Sequence, residues 1–275
     1  VNMKGNTQTR DEVLRREMRQ LETAWFSSEL VQKSRERLQR LGYFEDVSVE
    51  TPAVPGSADQ VDVDVSVTEK DSGNLLAGVG YSQSQGIIFN TSVTQNNFLG
   101  TGKRVSFAFN TSESNRIYQL AFTNPYYTID GVSRGFNLSY RETDFDSLVG
   151  ADYATDVGIA GLNFGLPISD TSRAGLGIRY QYTNFKAGAS ALAQAFVEQN
   201  GDKFNDFILS ASYSNDSRDS AVFPSKGTLQ SLVAEVAIPG SDLTYYKIRY
   251  KDRRYVPLTS RFVFSFRGDL GYGNG

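Results

Sequence analysis

From about Asn74 onward, one unit recurs along the chain: some ten residues of alternating apolar and polar side chains, then a turn. Phe262, Phe264 and Phe266 alternate with Val263, Ser265 and Arg267. Leu176, Ile178, Tyr180 and Tyr182 alternate with Gly177, Arg179, Gln181 and Thr183. Successive side chains of a strand point to opposite faces, so each unit is a strand with one apolar, aromatic face and one polar face. A tilted strand of about 9–11 residues spans a bilayer core. Apolar-out, polar-in strands in series are the mark of a transmembrane β-barrel. Eleven strands are expected, near 74–82, 86–95, 103–112, 115–123, 132–143, 154–167, 172–185, 204–214, 228–238, 245–256 and 260–272.

Composition divides the chain near Lys70–Gly73. Residues 1–70 hold 10 Lys/Arg and 13 Asp/Glu but only three of the 25 Gly and one of the 15 Tyr. A charged, glycine-poor segment therefore precedes a glycine- and aromatic-rich one, which predicts a soluble domain over 1–70 and a membrane domain over 71–275. The sequence has no Cys and no His. That removes Ser-His-Asp, Cys-His and His-based metal chemistry from these residues. Net charge is −3, so no basic field invites nucleic acid. No run of about 18 apolar residues suggests a membrane helix. No secretory leader is visible, so the natural chain is expected to start upstream.

Within 1–70 the pattern predicts an α+β domain of order β-α-α-β-β. A short strand is expected at Val1–Lys4. Thr9 with Glu12 fits a capping box, and Val13, Leu14, Met18, Leu21 and Trp25 follow at helical spacing. A second helix is expected from Ser27 or Ser28 through Leu30, Val31, Leu38 and Leu41, closed by Gly42. Val47 and Val49 mark one strand; Val61, Val63, Val65 and Val67 mark another.

Other motifs have plain structural readings. Gly100-Thr101-Gly102-Lys103 lacks the first glycine of a phosphate loop, Asn97 standing in its place, and reads as a strand turn. Gly78-Val79-Gly80 lacks the third glycine of a dinucleotide fingerprint. Asp144, Asp146, Asp216 and Asp219 sit in polar connections and read as loop charges, not as a catalytic pair or a cation site. Lys247, Arg249, Lys251 and Arg253 form a basic row. Facing lipid, each would cost about 2–4 kcal/mol, so the row is expected to face the lumen.

Several words carry a family resemblance. Gly5-Asn6-Thr7, Arg15-Arg16-Glu17-Met18-Arg19-Gln20, Arg40-Leu41-Gly42-Tyr43-Phe44 and Val54-Pro55-Gly56 resemble the last POTRA domain of the BamA-type outer-membrane assembly family. Asn97-Phe98-Leu99-Gly100-Thr101-Gly102, Thr123-Asn124-Pro125-Tyr126-Tyr127 and Ile238-Pro239-Gly240-Ser241-Asp242 resemble turns of that family's barrel. The resemblance covers nearly the whole chain. It implies a non-enzymatic machine, without cofactor or metal, that folds and inserts β-barrel clients into the outer membrane, its first domain in the periplasm. It implies docking of a periplasmic BamD-like lipoprotein on Arg15, Arg16, Arg19 and Glu22, taken to line the polar side of a helix over 11–22. It also implies a lateral gate at the first barrel strand, Asn74, Leu75, Leu76, Ala77, Gly78, Val79, Gly80 and Tyr81. The family's barrel has sixteen strands and an Arg-Gly-Phe loop not found here, so these residues are expected to be the amino-terminal part of a longer protein. A related secretion or autotransporter-assembly barrel is the alternative. An outer-membrane phospholipase is disfavoured by the missing His, and a plain porin by the first domain.

Overall fold

The computed structural model describes residues 1–57, 59–145, 152–220, 223–259 and 261–275. They fall into two compact units, Val1–Leu75 with Val93–Ser106, and Leu76–Ser92 with Phe107–Gly275.

The first unit contains β1 (Asn2–Lys4), α1 (Asp11–Arg15), α2 (Ser28–Arg40), β2 (Phe44–Glu50) and β3 (Asp64–Glu69). The sheet order is β1-β3-β2, with β1 parallel and β2 antiparallel to β3. Val13, Leu14, Leu38, Val47, Val63 and Val65 fill the space between helices and sheet. The expected β-α-α-β-β order is therefore present. Helix α2 starts as the sequence implies, the Ser27 hydroxyl accepting from Leu30 N–H, and ends before Gly42, whose φ of +74° suits glycine. Strand β3 begins at Asp64; Val61 makes only an isolated bridge with Ala53 and stays exposed.

The first helix is shorter than its spacing predicts. It stops at Arg15, and the chain closes in tight turns, Glu17 N–H to Leu14 C=O (3.0 Å) and Met18 N–H to Arg15 C=O (3.0 Å). Two polar side chains then divert the backbone. Ser34 Oγ on α2 accepts from Arg19 N–H at 2.7 Å. Buried Gln20 accepts from Ser27 N–H (2.9 Å) and donates to Trp25 C=O (3.1 Å), folding 21–27 into a loop around its amide. The capping box is not formed either. Arg10 is the N-cap and makes no side-chain cap bond, because Thr9 is engaged elsewhere.

Eleven strands form the larger sheet among the described residues: β4 (Gly73–Ser82), β5 (Gly86–Phe98), β6 (Lys103–Thr111), β7 (Asn115–Asn124), β8 (Ser133–Asp144), β9 (Tyr153–Pro167), β10 (Ser172–Ala187), β11 (Lys203–Asp216), β12 (Gly227–Ala237), β13 (Tyr246–Pro257) and β14 (Val263–Asn274). Their order in the sheet is their order in the chain, so β4 and β14 are its edges. One face is apolar yet open: Leu209 is 46 % exposed, whereas Ile208 beside it, on the polar side, is 0 % exposed. Soluble proteins bury such a face; a wall against lipid displays it. No helix among the described residues is long and apolar enough to cross a membrane.

The polar side is built from ion pairs and small residues. Arg179 holds Glu235 with both terminal nitrogens, at 3.0 and 3.3 Å, and Arg249 approaches the same carboxylate at 3.5 Å. Lys247 and Arg249 stand opposite Glu235 and Val233 in register, which puts the whole basic row on this polar side. Polar side chains also lie flat over glycines of the neighbouring strand. A Cβ on Gly161 would meet Asn137 Oδ1 at 2.5 Å, and one on Gly135 would meet Asn163 Oδ1 at 2.7 Å. These are direct cross-strand partners, so β8 and β9 carry the same pair twice with the roles exchanged.

The connection after β10 holds a helix, α3 (Ala191–Asn200), where the sequence suggested only a long loop. Aromatic rings brace it: Tyr153 on Phe185 (5.2 Å), Phe185 on Phe196 (5.4 Å) and Phe196 on Phe204 (6.1 Å). These ring contacts hold a helix whose own apolar pattern is weak.

Candidate functional site

Three places on the chain have the make-up of working surfaces. The first is the loop that replaces the second half of the expected helix. Arg15 pairs with Asp11 and, at 2.8 Å, with Glu22. The same loop carries Trp25, 96 % exposed, Leu21, 67 % exposed, and Phe26, half-exposed. A large aromatic so bare on a soluble domain is uncommon, and tryptophan flanked by charges is the usual composition of a binding hot spot. Arg15, Arg16, Arg19 and Glu22 do not share one helix face. Arg15 and Glu22 lie together on the surface. Arg16 is largely covered, its guanidinium beside Gly102 and its Nε 4.0 Å from Glu17. Arg19 lies beyond the helix, its amide bound to Ser34. Leu21 and Trp25, expected on the buried side of a helix, face outward.

The second is the edge strand β4. Leu75, Leu76, Val79 and Tyr81 are all more than half exposed. Gly78 has the amide of Asn90 laid over it, where a Cβ would sit 2.7 Å from Oδ1, and Gly80 has no neighbour. Leu76 C=O accepts from the Thr91 hydroxyl at 3.1 Å. Among the described residues the strand is paired with β5 alone, and it has two interior positions with no side chain of their own.

The third is the turn between β5 and β6, which belongs to the first unit. Asn97 has φ +55° and Leu99 φ +52°, in the left-handed region. Asn97 Nδ2 donates to Thr9 Oγ1 at 2.7 Å, and its Oδ1 accepts from Gly102 N–H at 2.7 Å. Behind Thr9 stands Glu69, which accepts from the amides of Thr7 (3.0 Å), Gln8 (2.8 Å) and Thr9 (2.6 Å). Partial burial works to raise the Glu69 pKa, but the Thr9 hydroxyl, these amides and the Thr7 hydroxyl outweigh it and bring it from 4.5 to about 2. A carboxylate with a depressed pKa stabilises the fold above its unfolded pKa, and that contribution is lost as pH falls through the folded value. Glu69→Gln should therefore lower amide protection of residues 7–9 at neutral pH, and the difference from the unaltered chain should close between pH 4.5 and about 2. Hydrogen exchange at pH 7 and pH 2.5 measures this; a difference of equal size at both would show that the charge has no part in it.

Two of the loop carboxylates, Asp216 and Asp219, are tied into their own turns. Asp219 accepts from Ser225 N–H (2.9 Å) and Lys226 N–H (3.2 Å), and Asp216 pairs with Arg218 at 2.8 Å. Asp144 N–H donates to Ser114 C=O at 2.8 Å. Asp146 lies outside the described residues. No group of three or more acidic side chains among the described residues is arranged to hold a metal.

Comparison with known proteins agrees with this organisation. Residues 1–70 match the POTRA family, described as a surface antigen variable number repeat, and residues 97–275 match the Omp85 superfamily domain. The chain is 31 % identical, over its whole length, to 36 % of the outer membrane protein assembly factor BamA of Neisseria meningitidis. It is 26 % identical over 90 % of its length to 53 % of the sorting and assembly machinery component 50 homolog A of Xenopus laevis. The chain thus spans about a third of the bacterial relative and about half of the animal one. Among solved structures it resembles BamA from Haemophilus ducreyi lacking POTRA domains 1–3, with TM-score 0.78 and 31 % identity, covering 99 % of this chain and 54 % of that one. CdiB from Escherichia coli shares the fold at TM-score 0.65 and 14 % identity, covering 99 % of this chain and 53 % of that one. On the match of its residues 97–275, with a POTRA domain ahead of them, the chain belongs to the Omp85 superfamily.

Proposed function

We propose that this chain works in the assembly of β-barrel proteins in an outer membrane, with its POTRA domain in the periplasm and its strands in the bilayer. The observation that carries the reading is the eleven-stranded sheet: it displays its apolar face, and its first strand, β4, follows the POTRA domain directly and contains two interior glycines. The relatives named as assembly factors support the same role. Clients are unfolded barrel proteins, which pair with the backbone edge of β4 and leave once their own strands are paired. Hydrogen-bond exchange and client folding drive the process. No residue here acts as an enzyme's nucleophile or base, and no cofactor takes part. A periplasmic lipoprotein of BamD-like kind docks on the loop with Arg15, Glu22 and Trp25. A partner strand can also add to the free edge of β2.

A chimera tests the reading. This chain replaces the matched segment of the Neisseria protein, and client barrels are offered to vesicles holding it. Heat-modifiable, protease-protected client should accumulate. A chimera that folds and inserts in the membrane yet leaves clients unfolded refutes the proposal.

A further inference from the structure

The sequence reads Gly100-Thr101-Gly102 as an ordinary strand turn, but the structure holds that turn far more tightly than a turn requires. Asn97 is 7 % exposed and Thr9 only 3 %. Besides the two bonds of the Asn97 amide, Arg10 N–H donates to Gly100 C=O at 2.9 Å and the Tyr43 hydroxyl donates to Gly102 C=O at 3.3 Å. Gly100 admits no side chain: a Cβ there would lie 1.9 Å from the Gln8 carbonyl oxygen. At Gly102 a Cβ would have to displace the end of the Arg16 side chain, and its φ of +68° strains any other residue. Non-glycine residues at positive φ are strained and persist only where the surroundings over-determine them. Here Asn97 and Leu99 both take that conformation.

The other flank of the turn reaches the root of β4. Asn96 N–H donates to Ser72 C=O at 3.0 Å, and Gln95 Nε2 donates to Ser72 Oγ at 2.9 Å. Gly73, the first residue of β4, follows. One hydrogen-bonded path thus runs from Glu69 through Thr9 and Asn97 to the end of β5, and from there to Ser72. Every link is directed and 3.0 Å or shorter, the Asn97 bonds buried and the Glu69–Thr9 and Gln95–Ser72 bonds partly so, and a shift of residues 7–10 is passed along it toward Ser72.

We infer that Asn97 is a positioning residue: it clamps the β5–β6 turn to the Thr7–Arg10 segment so that the root of β4 is held in the place where a client strand pairs with it. The clamp stays closed while the protein works. The effect on clients rests on the assembly role proposed above; the clamp itself does not.

The test uses the protein at its full natural length in vesicles. Asn97→Ala removes both side-chain bonds, and Asn97→Asp keeps only the acceptor for Gly102. Amide exchange at Arg10 and Gly102 reports the clamp. The rate of client insertion, set against the final amount of folded barrel of the variant itself, separates positioning from folding. Asn97→Ala should lose protection at both amides and insert clients about tenfold more slowly, the loss of one to two buried hydrogen bonds, with its own barrel assembled in normal amount. Asn97→Asp should fall between. The chain has no cysteine, so Thr9→Cys with Asn97→Cys can be bridged by a short bifunctional thiol reagent. The unbridged pair should be slow and the bridged pair restored. This comparison is made within one polypeptide and decides the matter even if Asn97→Ala fails to assemble. Normal insertion by Asn97→Ala with protection lost overturns the inference, and so does a bridged pair slower than the unbridged one. If the unaltered protein inserts no clients while its Arg10 and Gly102 amides are protected, the assembly role fails and the clamp stands.

Discussion

Replacing Trp25 with alanine should weaken capture of the periplasmic lipoprotein proposed above by about 30-fold, the effect of about 2 kcal/mol that a central aromatic contributes to an interface. The indole is 96 % exposed and touches no part of the domain's core, so the substitution should leave stability unchanged within about 0.5 kcal/mol. Glu22→Lys tests the charged half of the same surface. Arg15 lies 2.8 Å from Glu22, and a lysine there replaces attraction with repulsion. Exposed pairs contribute only about 0.2–1 kcal/mol, so this second loss should be the smaller. Binding of the immobilised lipoprotein to the unaltered protein and to both variants measures the difference. Equal affinity for all three would take this loop out of the partner's footprint.

A photo-crosslinking side chain placed at Leu76 or Tyr81 should capture arriving clients at least about tenfold more than one at Leu138, because only an unpaired strand edge offers backbone groups to a new strand. All three positions are well exposed, so access to lipid does not distinguish them. What differs is pairing. Leu138 lies on β8, matched residue by residue with β7 and β9, whereas β4 is the strand proposed above to open to clients, its two interior glycines weakening whatever pairs with it. Crosslinks of equal yield at Leu138 would mean that clients meet the wall at large, and the edge would lose its special part in insertion.

The barrel strands were legible because their signal repeats every second residue and each strand faces two very different surroundings. Phe264 and Phe266, for instance, alternate with Ser265 and Arg267 along β14 and prove exposed, although the strand starts at Val263 and leaves Phe262 outside it. The first helix misled for the opposite reason. Val13, Leu14 and Met18 keep helical spacing and are buried, but whether the helix continues is decided by Gln20 and Ser34, whose hydrogen bonds join segments 7 and 15 residues apart. No local pattern reports such bonds. Helix α3 was illegible because its residues are nearly free of charge and the rings that hold it lie on β9, β10 and β11. The clamp at Asn97 needs Thr9, 88 residues earlier. Its sequence shows a turn rich in glycine, and only the positive φ values and the blocked Cβ positions show why each glycine stands where it does.

The exchanged pairs of β8 and β9 restrict how this sequence can drift. A side chain at Gly161 must push the Asn137 amide aside, and one at Gly135 must push aside Asn163. Either asparagine can shrink alone, but that uncovers a glycine and leaves a gap. Change at each pair is therefore easier in one order, asparagine first and glycine second. Descendants of this chain should hold the two residues as a unit, in either orientation, far longer than they hold either residue by itself.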